Sequence, residues 1–320
     1  MTGGAAVAAE RVLGDFGAEN EGPLLILVGG VHGNEPAGRE ALVDFCAELA
    51  PHATSLRGRV LAVAGNLAGL AARRRFVDED LNRAWTQENL ARLLDGSPAR
   101  TSEERELLEL HGVLQAAMAE ARGAVTLLDL HSTSGEGPPF AILTDNGPAR
   151  ELALALEAPA VLGLHKNVRG TLIDWAEGLG HTSVVLEAGQ NEAPVTRARH
   201  RAAAWLALGS LGLLEPGAVD LSAERATMRE ATLHLPTTVE VCLRWGIEPG
   251  ERFRMEPGFV NLQPVRRGQL LAHGGRDAAA PIHAPFDGLL LMPLYQEQGS
   301  DGFFLGLVPH ALANARPQRA

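Results

Sequence analysis

The sequence predicts an α/β fold, with a mostly parallel central sheet, helices on both faces and a small C-terminal all-β domain. Three observations carry this. Runs at residues 24–28, 59–64 and 125–130 are largely apolar, and 181–186 ends in Val-Val-Leu, as strands buried on both faces do. Between them lie stretches of helical periodicity, the alternation of a doubly covered parallel sheet. Beyond residue 231 that periodicity fades, and turn signals recur at Pro249-Gly250, Pro257-Gly258, Arg267-Gly268, Gly274-Gly275, Asp287-Gly288 and Gly299, a spacing that fits short antiparallel strands.

Taken in order, the first strand, LLILV at 24–28, stops at Gly29-Gly30 and so ends in a tight turn. Pro36 follows at the first turn of a helix, 36–49, whose Ala41, Leu42, Phe45 and Leu49 share one face. The second strand, 59–64, exits at Gly65-Asn66 into a weakly periodic stretch, 67–100, that contains RRRFVDEDLNRAW at 73–85. A connection of that length inside a compact domain is more often functional than idle. A helix over 102–121 opens on a Thr101 or Ser102 cap with acidic residues in its first turn. The strand 125–130 ends at His131-Ser132-Thr133-Ser134, and 140–143 is a further short strand. Helices over 147–157 and 171–177 precede a buried strand, 181–186, that stops at Glu187-Ala188-Gly189, and a helix over 194–214 closes the unit. Residues 1–214 are thus the α/β domain, 215–230 a polar linker, 231–310 the β-rich domain and 311–320 a disordered tail.

Composition narrows the function classes. The chain has 320 residues and a formal charge of −11, with no basic run longer than Arg73-Arg74-Arg75, which argues against nucleic acid and anionic membranes as partners. Cys46 and Cys242 are the only cysteines, too few for a disulfide framework. The N-terminus lacks a basic segment leading into an apolar core, and no apolar stretch reaches membrane-spanning length, so a cytoplasmic protein is expected. Lys166 is the single lysine.

Directly after the first strand stand His32 and Glu35, a nitrogen and an oxygen ligand type three residues apart. Loops at the carboxyl ends of strands are where open α/β sheets keep their sites, and H-x-x-E is a metal-ligand spacing. His and Glu in a surface loop are usually just solvated. The reading gains weight because His131 and Glu187 stand at the ends of two other predicted strands.

HGNE at 32–35, Asp80-Leu81-Asn82-Arg83, Asp129-Leu130-His131 and Leu186-Glu187-Ala188-Gly189 together resemble the succinylglutamate desuccinylase/aspartoacylase family, a branch of the zinc carboxypeptidase fold. The resemblance covers about residues 24–215, and the β-rich segment is similar to the family's as well. It implies one Zn2+ per chain held by His32, Glu35 and His131, with the fourth tetrahedral position open as in catalytic zinc sites. It also implies Glu187 as general base, Arg75 polarising the scissile carbonyl, and Asn82 and Arg83 gripping a substrate carboxylate. Arg169 is a further carboxylate contact by the same resemblance, although its spacing to Glu187 departs from the aspartoacylase pattern. Asp80 is expected to receive the second N–H of His32, since ligating histidines nearly always have such a partner. The role of Asp129 stays open. Aspartoacylases place tyrosines around the substrate, whereas this chain has only Tyr295, so N-acetylaspartate is not named.

The implied activity is hydrolysis of the amide of a small N-acylated amino acid, with a zinc carboxypeptidase acting on short peptides as the alternative. The expected partner is that small molecule, and self-association into a homo-oligomer is left open. The segment His283-Ala284-Pro285-Phe286-Asp287-Gly288 resembles the start of a lipoyl or biotinyl carrier domain. A carrier needs a lysine there, and Lys166 lies in the first domain. The β-rich domain is therefore expected to cover the cleft or support assembly.

Overall fold

The computed structural model describes residues 10–166, 168–275 and 280–309; the expected tail at 311–320 lies outside them. The first half runs β1 (Val12–Phe16), β2 (Leu24–Gly29), α1 (Pro36–Leu49), β3 (Arg59–Ala64), α2 (Leu67–Ala72), α3 (Gln87–Leu94), α4 (Ser102–Ala119) and β4 (Val125–Thr133). Then come β5 (Phe140–Ile142), α5 (Gly147–Ala155), β6 (Ala160–Leu162), α6 (Leu172–Gly178), β7 (Thr182–Gln190), α7 (Pro194–Ser210) and α8 (Ser222–Thr232). The remainder is β8 (Thr238–Gly246), β9 (Arg254–Met255), β10 (Gln263–Val265), β11 (Leu270–Gly274), β12 (Ala280–His283), β13 (Gly288–Leu291) and β14 (Asp301–Leu307).

The fold is mixed α/β. Strands β3, β2, β4 and β7 are neighbours and parallel, the expected centre. Alternation along β2 explains its unbroken apolar run. Leu25 and Leu27 join a core with Leu42, Phe45 and Leu49 of α1 and with α7, while Leu24, Ile26 and Val28 join a second core with Leu107, Leu110 and Leu114 of α4. Each such side chain, fully buried, contributes about 1.5–3 kcal/mol. Among the described residues, no helix is long and apolar enough to cross a membrane.

Three features differ from the sequence expectation. The β-rich segment does not form a sheet wholly of its own: β8 pairs in parallel with β6, and β14, β13 and β10 extend the same sheet. Among the described residues, β12, β11 and β9 alone form a separate small sheet. The reason is physical, because buried β6 would otherwise present an open edge of unpaired backbone groups. The stretch expected as a linker contains most of α8, whose Met228 is buried in the core shared with α7. Strand β1, antiparallel to β3, was not expected, since Gly14 and Asp15 interrupt its apolar pattern.

Within α7, His200 is fully buried and neither ring nitrogen has a hydrogen-bond partner. Burial, with some repulsion from His131, pushes its pKa down to about 3. An unfolded histidine titrates near 6.5, so between pH 6.5 and 3 the unfolded chain takes up a proton that the folded chain refuses. Stability contributed by neutral His200 is therefore lost as pH falls through that window. Urea midpoints measured from pH 6.5 to 4 are expected to decline less steeply for His200→Leu than for the wild type; parallel slopes would show that His200 is not a source of acid sensitivity.

Candidate active site

The carboxyl ends of β2, β4 and β7 meet at one point. In the loop after β2, Gly30 takes a φ of +79°, a conformation that favours glycine. Gly33 lies so close to α2 that a Cβ would stand 1.9 Å from the Gly69 carbonyl carbon. This backbone approach turns His32 and Glu35 inward, where both are buried. On β4 and β7 the parallel register sets His131 directly beside Glu187.

His32, Glu35 and His131 place one potential ligand atom each within 4.8 Å of one another. Their orientation is specific. His32 Nδ1 lies 2.9 Å from Glu35 Oε1, and His131 Nδ1 lies 3.0 Å from Glu35 Oε2. The Nε2 atoms point outward, His32 to Asp80 Oδ1 at 3.1 Å and His131 to Asp129 Oδ2 at 2.9 Å. Each imidazole is thus fixed by a carboxylate, leaving Nδ1 as the inward donor, the usual build of a metal site. Burial alone would raise the Glu35 pKa, but His32 and His131 hold it far below the usual carboxylate range. Burial likewise opposes a charge on His131, yet Asp129 and Glu35 raise its pKa well above normal. The donor set and its outer carboxylates fit zinc.

Asp80 does more than orient His32. Its Oδ1 also caps the turn at Leu81–Arg83 by accepting from Asn82 N at 2.9 Å, and Oδ2 receives Arg75 Nε and Nη2 at 3.2 and 3.1 Å. Burial notwithstanding, His32 and Arg75 keep Asp80 well below its ordinary pKa. Arg75 Nη1 reaches Glu35 Oε1 at 3.4 Å, so this guanidinium borders the ligand cluster. Asn82 is buried, with Oδ1 accepting from Leu172 N at 3.0 Å. Arg83 is partly committed, donating to the Asn82 carbonyl at 2.8 Å and to Asp301 Oδ2 at 2.9 Å.

Glu187 is buried, and its Oε2 has no hydrogen-bond partner. Burial pushes its pKa up to about 8, opposed by His131 and assisted by Glu35. Arg169, by contrast, is exposed and does not line either cavity beside the cluster.

A family model for the succinylglutamate desuccinylase/aspartoacylase catalytic domain matches residues 21–213. The chain belongs to that family. Among curated family members, the succinylglutamate desuccinylase of Photorhabdus laumondii subsp. laumondii is 32% identical over 123 residues, 38% of this chain and 36% of that protein. A probable aspartoacylase of Parasynechococcus marenigrum is 33% identical over 140 residues, 44% of this chain and 43% of that protein. The matches thus span less than half the length of these relatives. The product-bound ectoine utilization protein EutE of Ruegeria pomeroyi has a similar fold, with a TM-score of 0.63 at 22% identity, covering 90% of this chain and 86% of that one.

Three groups at this family site were not expected from the sequence. Asp129 is one, although its i, i+2 relation to His131 on a strand puts both side chains on one face. Glu103 is another. This fully buried carboxylate accepts from Val77 N, Asp78 N, Glu79 N and Asn66 Nδ2 at 2.7–3.2 Å, tying down the chain between Arg75 and Asp80. The third is the loop 292–301: the β-rich domain was expected to cover the cleft or support assembly, and this particular stretch of it roofs the site. Ser134 Oγ donates to the Pro293 carbonyl, Tyr295 N donates to Ser134 Oγ, and Asn34 Nδ2 donates to Gln296 Oε1 at 2.8 Å. The Tyr295 hydroxyl is spent on the backbone of 256–259, donating to Glu256 O and accepting from Phe259 N.

Proposed function

We propose that this protein is a zinc-dependent deacylase that hydrolyses the amide of a small N-acylated amino acid. The observation that carries the reading is the buried, unpartnered Glu187 carboxyl beside the His32–Glu35–His131 cluster. A carboxyl kept there without a task would cost several kcal/mol. Family membership and the names of the curated relatives support the same chemistry. One zinc ion per chain, held by His32, Glu35 and His131, and a cytoplasmic location belong to this reading.

Zinc, when bound, supplies Lewis acidity that makes water a better nucleophile near neutral pH. Glu187 takes a proton from the attacking water as its oxygen bonds to the acyl carbon, and returns that proton to the amide nitrogen as the C–N bond breaks. The products are the acyl carboxylate and the free amino acid. A carboxyl with a raised pKa suits both transfers. Arg75 holds the oxygen of the scissile carbonyl as negative charge grows on it. Arg83, with the Asn82 side-chain amide, grips a substrate carboxylate, and Arg169, exposed here, is at most a peripheral contact.

The size of the site favours this over a peptidase, since each cavity beside Glu187 measures only about 60 Å³. A hydrolysis screen of N-acetyl, N-formyl and N-succinyl amino acids against short peptides tests it; cleavage of peptides alone would replace the deacylase with a carboxypeptidase. Carboxylate recognition has its own expected result. Converting the substrate's free acid to the carboxamide should lower kcat/KM by roughly tenfold or more, about 1.4 kcal/mol. Arg83→Lys should lose part of the same discrimination because an ammonium lacks the two-pronged geometry. Equal kcat/KM for acid and amide in the wild type would remove the carboxylate grip.

A further inference from the structure

Met292 differs from the other residues around Glu187 in its backbone. Among the described residues only four non-glycines take a positive φ, and two of them, Leu262 at +61° and Met292 at +52°, meet at Asn261. Asn261 is buried, directly precedes Leu262, and accepts from Met292 N through Oδ1 at 2.6 Å. Its Nδ2 donates to Thr133 Oγ1 at 2.8 Å and to the Glu136 carbonyl at 3.2 Å, so the grip on Met292 is anchored to the end of β4. On the other side, the carbonyl of buried Pro293 accepts from Ser134 Oγ, and its ring lies against Gly135, where a Cβ would come within 2.7 Å of it. The left-handed conformation of Met292 is thus enforced from both directions. A side chain there costs energy that glycine would avoid. Such strain persists only where the surroundings over-determine it, and it gathers at functional sites.

The place of this residue matches that expectation. The two cavities beside Glu187 share seven lining residues, of which His32, Arg75, Arg83, His131, Glu187 and Asp301 are ionisable and Met292 is the seventh. Glu187 and the two histidines of the ligand cluster border both cavities. A scissile amide attacked there therefore has its acyl part toward one cavity and its amino-acid part toward the other. Met292 is the single apolar side chain at that meeting point. It is half-buried and packs on the core that contains Val185 and Phe304, so leaving its place would forfeit those contacts.

We propose that Met292 is a specificity residue that divides the substrate site and sets the upper size of the groups on both sides of the scissile amide. Its unbranched, polarisable thioether packs against the atoms nearest the amide, and its bulk keeps long acyl chains and peptides out. Removing the side chain would relieve the strained φ and merge the two cavities. This inference rests on the deacylase reading above.

The test uses the full-length, zinc-loaded protein and, as reference, the N-acyl amino acid that it cleaves best in the screen above. One series lengthens the acyl group of that compound a methylene at a time, and the other lengthens its amino-acid side chain in the same way. Wild-type kcat/KM should fall by roughly tenfold or more at the longest member of each series. Met292→Gly should bring both longest members to within about threefold of the reference. Its Tm should equal or exceed that of the wild type, because glycine accepts a left-handed φ. Met292→Leu, which nearly conserves volume, should keep the wild-type profile. Should the glycine variant not fold, Met292→Ala decides by the same two ratios. Unchanged profiles in the variant would make Met292 a backbone feature only, and relaxation in one series alone would make it a wall of one cavity. Either result overturns the divider while leaving the deacylase intact. Failure of the wild type to cleave any N-acyl amino acid overturns both.

Discussion

Glu187→Gln is expected to keep the fold and the metal while lowering kcat by roughly 10²- to 10⁴-fold, the range for losing a positioned general base. The amide keeps the size and planarity of the carboxyl but can neither accept the proton of water nor return it. Because Glu187 Oε2 makes no hydrogen bond, substitution breaks no structural contact there, which separates its chemistry from its packing. Thermal stability should not fall, since exchanging an unpartnered buried carboxyl for a neutral amide removes a group whose charged form burial disfavours. Parallel measurement of kcat, zinc content and Tm checks this. A variant with near wild-type kcat would make Glu187 structural and leave the reaction without a base.

His32→Ala and His131→Ala are each expected to abolish stoichiometric zinc, since either leaves two protein ligands where a catalytic site needs three. The outer carboxylates should matter less but measurably: Asp129→Asn and Asp80→Asn are expected to weaken zinc by about 10- to 100-fold. Asp129 has the simpler test because its Oδ2 holds His131 and its Oδ1 has no partner, whereas Asp80 also secures Arg75 and the turn before Arg83. Metal analysis after dialysis against a graded chelator resolves the order. One zinc per chain retained in both histidine variants would place the centre elsewhere.

The central sheet was legible because β2, β3, β4 and β7 are buried on both faces and so are largely apolar before their ends, with Thr126 and Asp129 of β4 among the interruptions. For the same reason His32, Glu35, His131 and Glu187 stood out, being the polar residues at which such runs stop. The pairing of Asp129 with His131 was recoverable from strand periodicity alone. The roof was not. Arg83 meets Asp301 across 218 positions, and QEQGSDG reads as an ordinary turn until the sheet's closure brings it over the cluster. Strand β6 was invisible because its three residues fall below any period that can be counted. Glu103 looked like a helix-dipole acid, and only the folded loop shows which amides it receives.

The shared sheet also limits how substrate enters and leaves. Since β8, β14 and β13 continue the hydrogen-bonded ladder that begins with the ligand-bearing strands, the protein has no free joint about which its β-rich part can swing. Opening the cleft on that side has to part the contacts that hold the roof loop, from Asn34 and Asn191 to Gln296, from Ser134 to Tyr295 and Pro293, from Phe76 to Gln298 and from Arg83 to Asp301. Such opening is a local rearrangement of one loop rather than a domain closure. It also means that the last eighty residues are not an interchangeable module. Grafting the corresponding segment of another family member would require re-forming the β6–β8 seam as well as the roof, and a chimera cut at that seam would expose an edge strand before it changed any specificity.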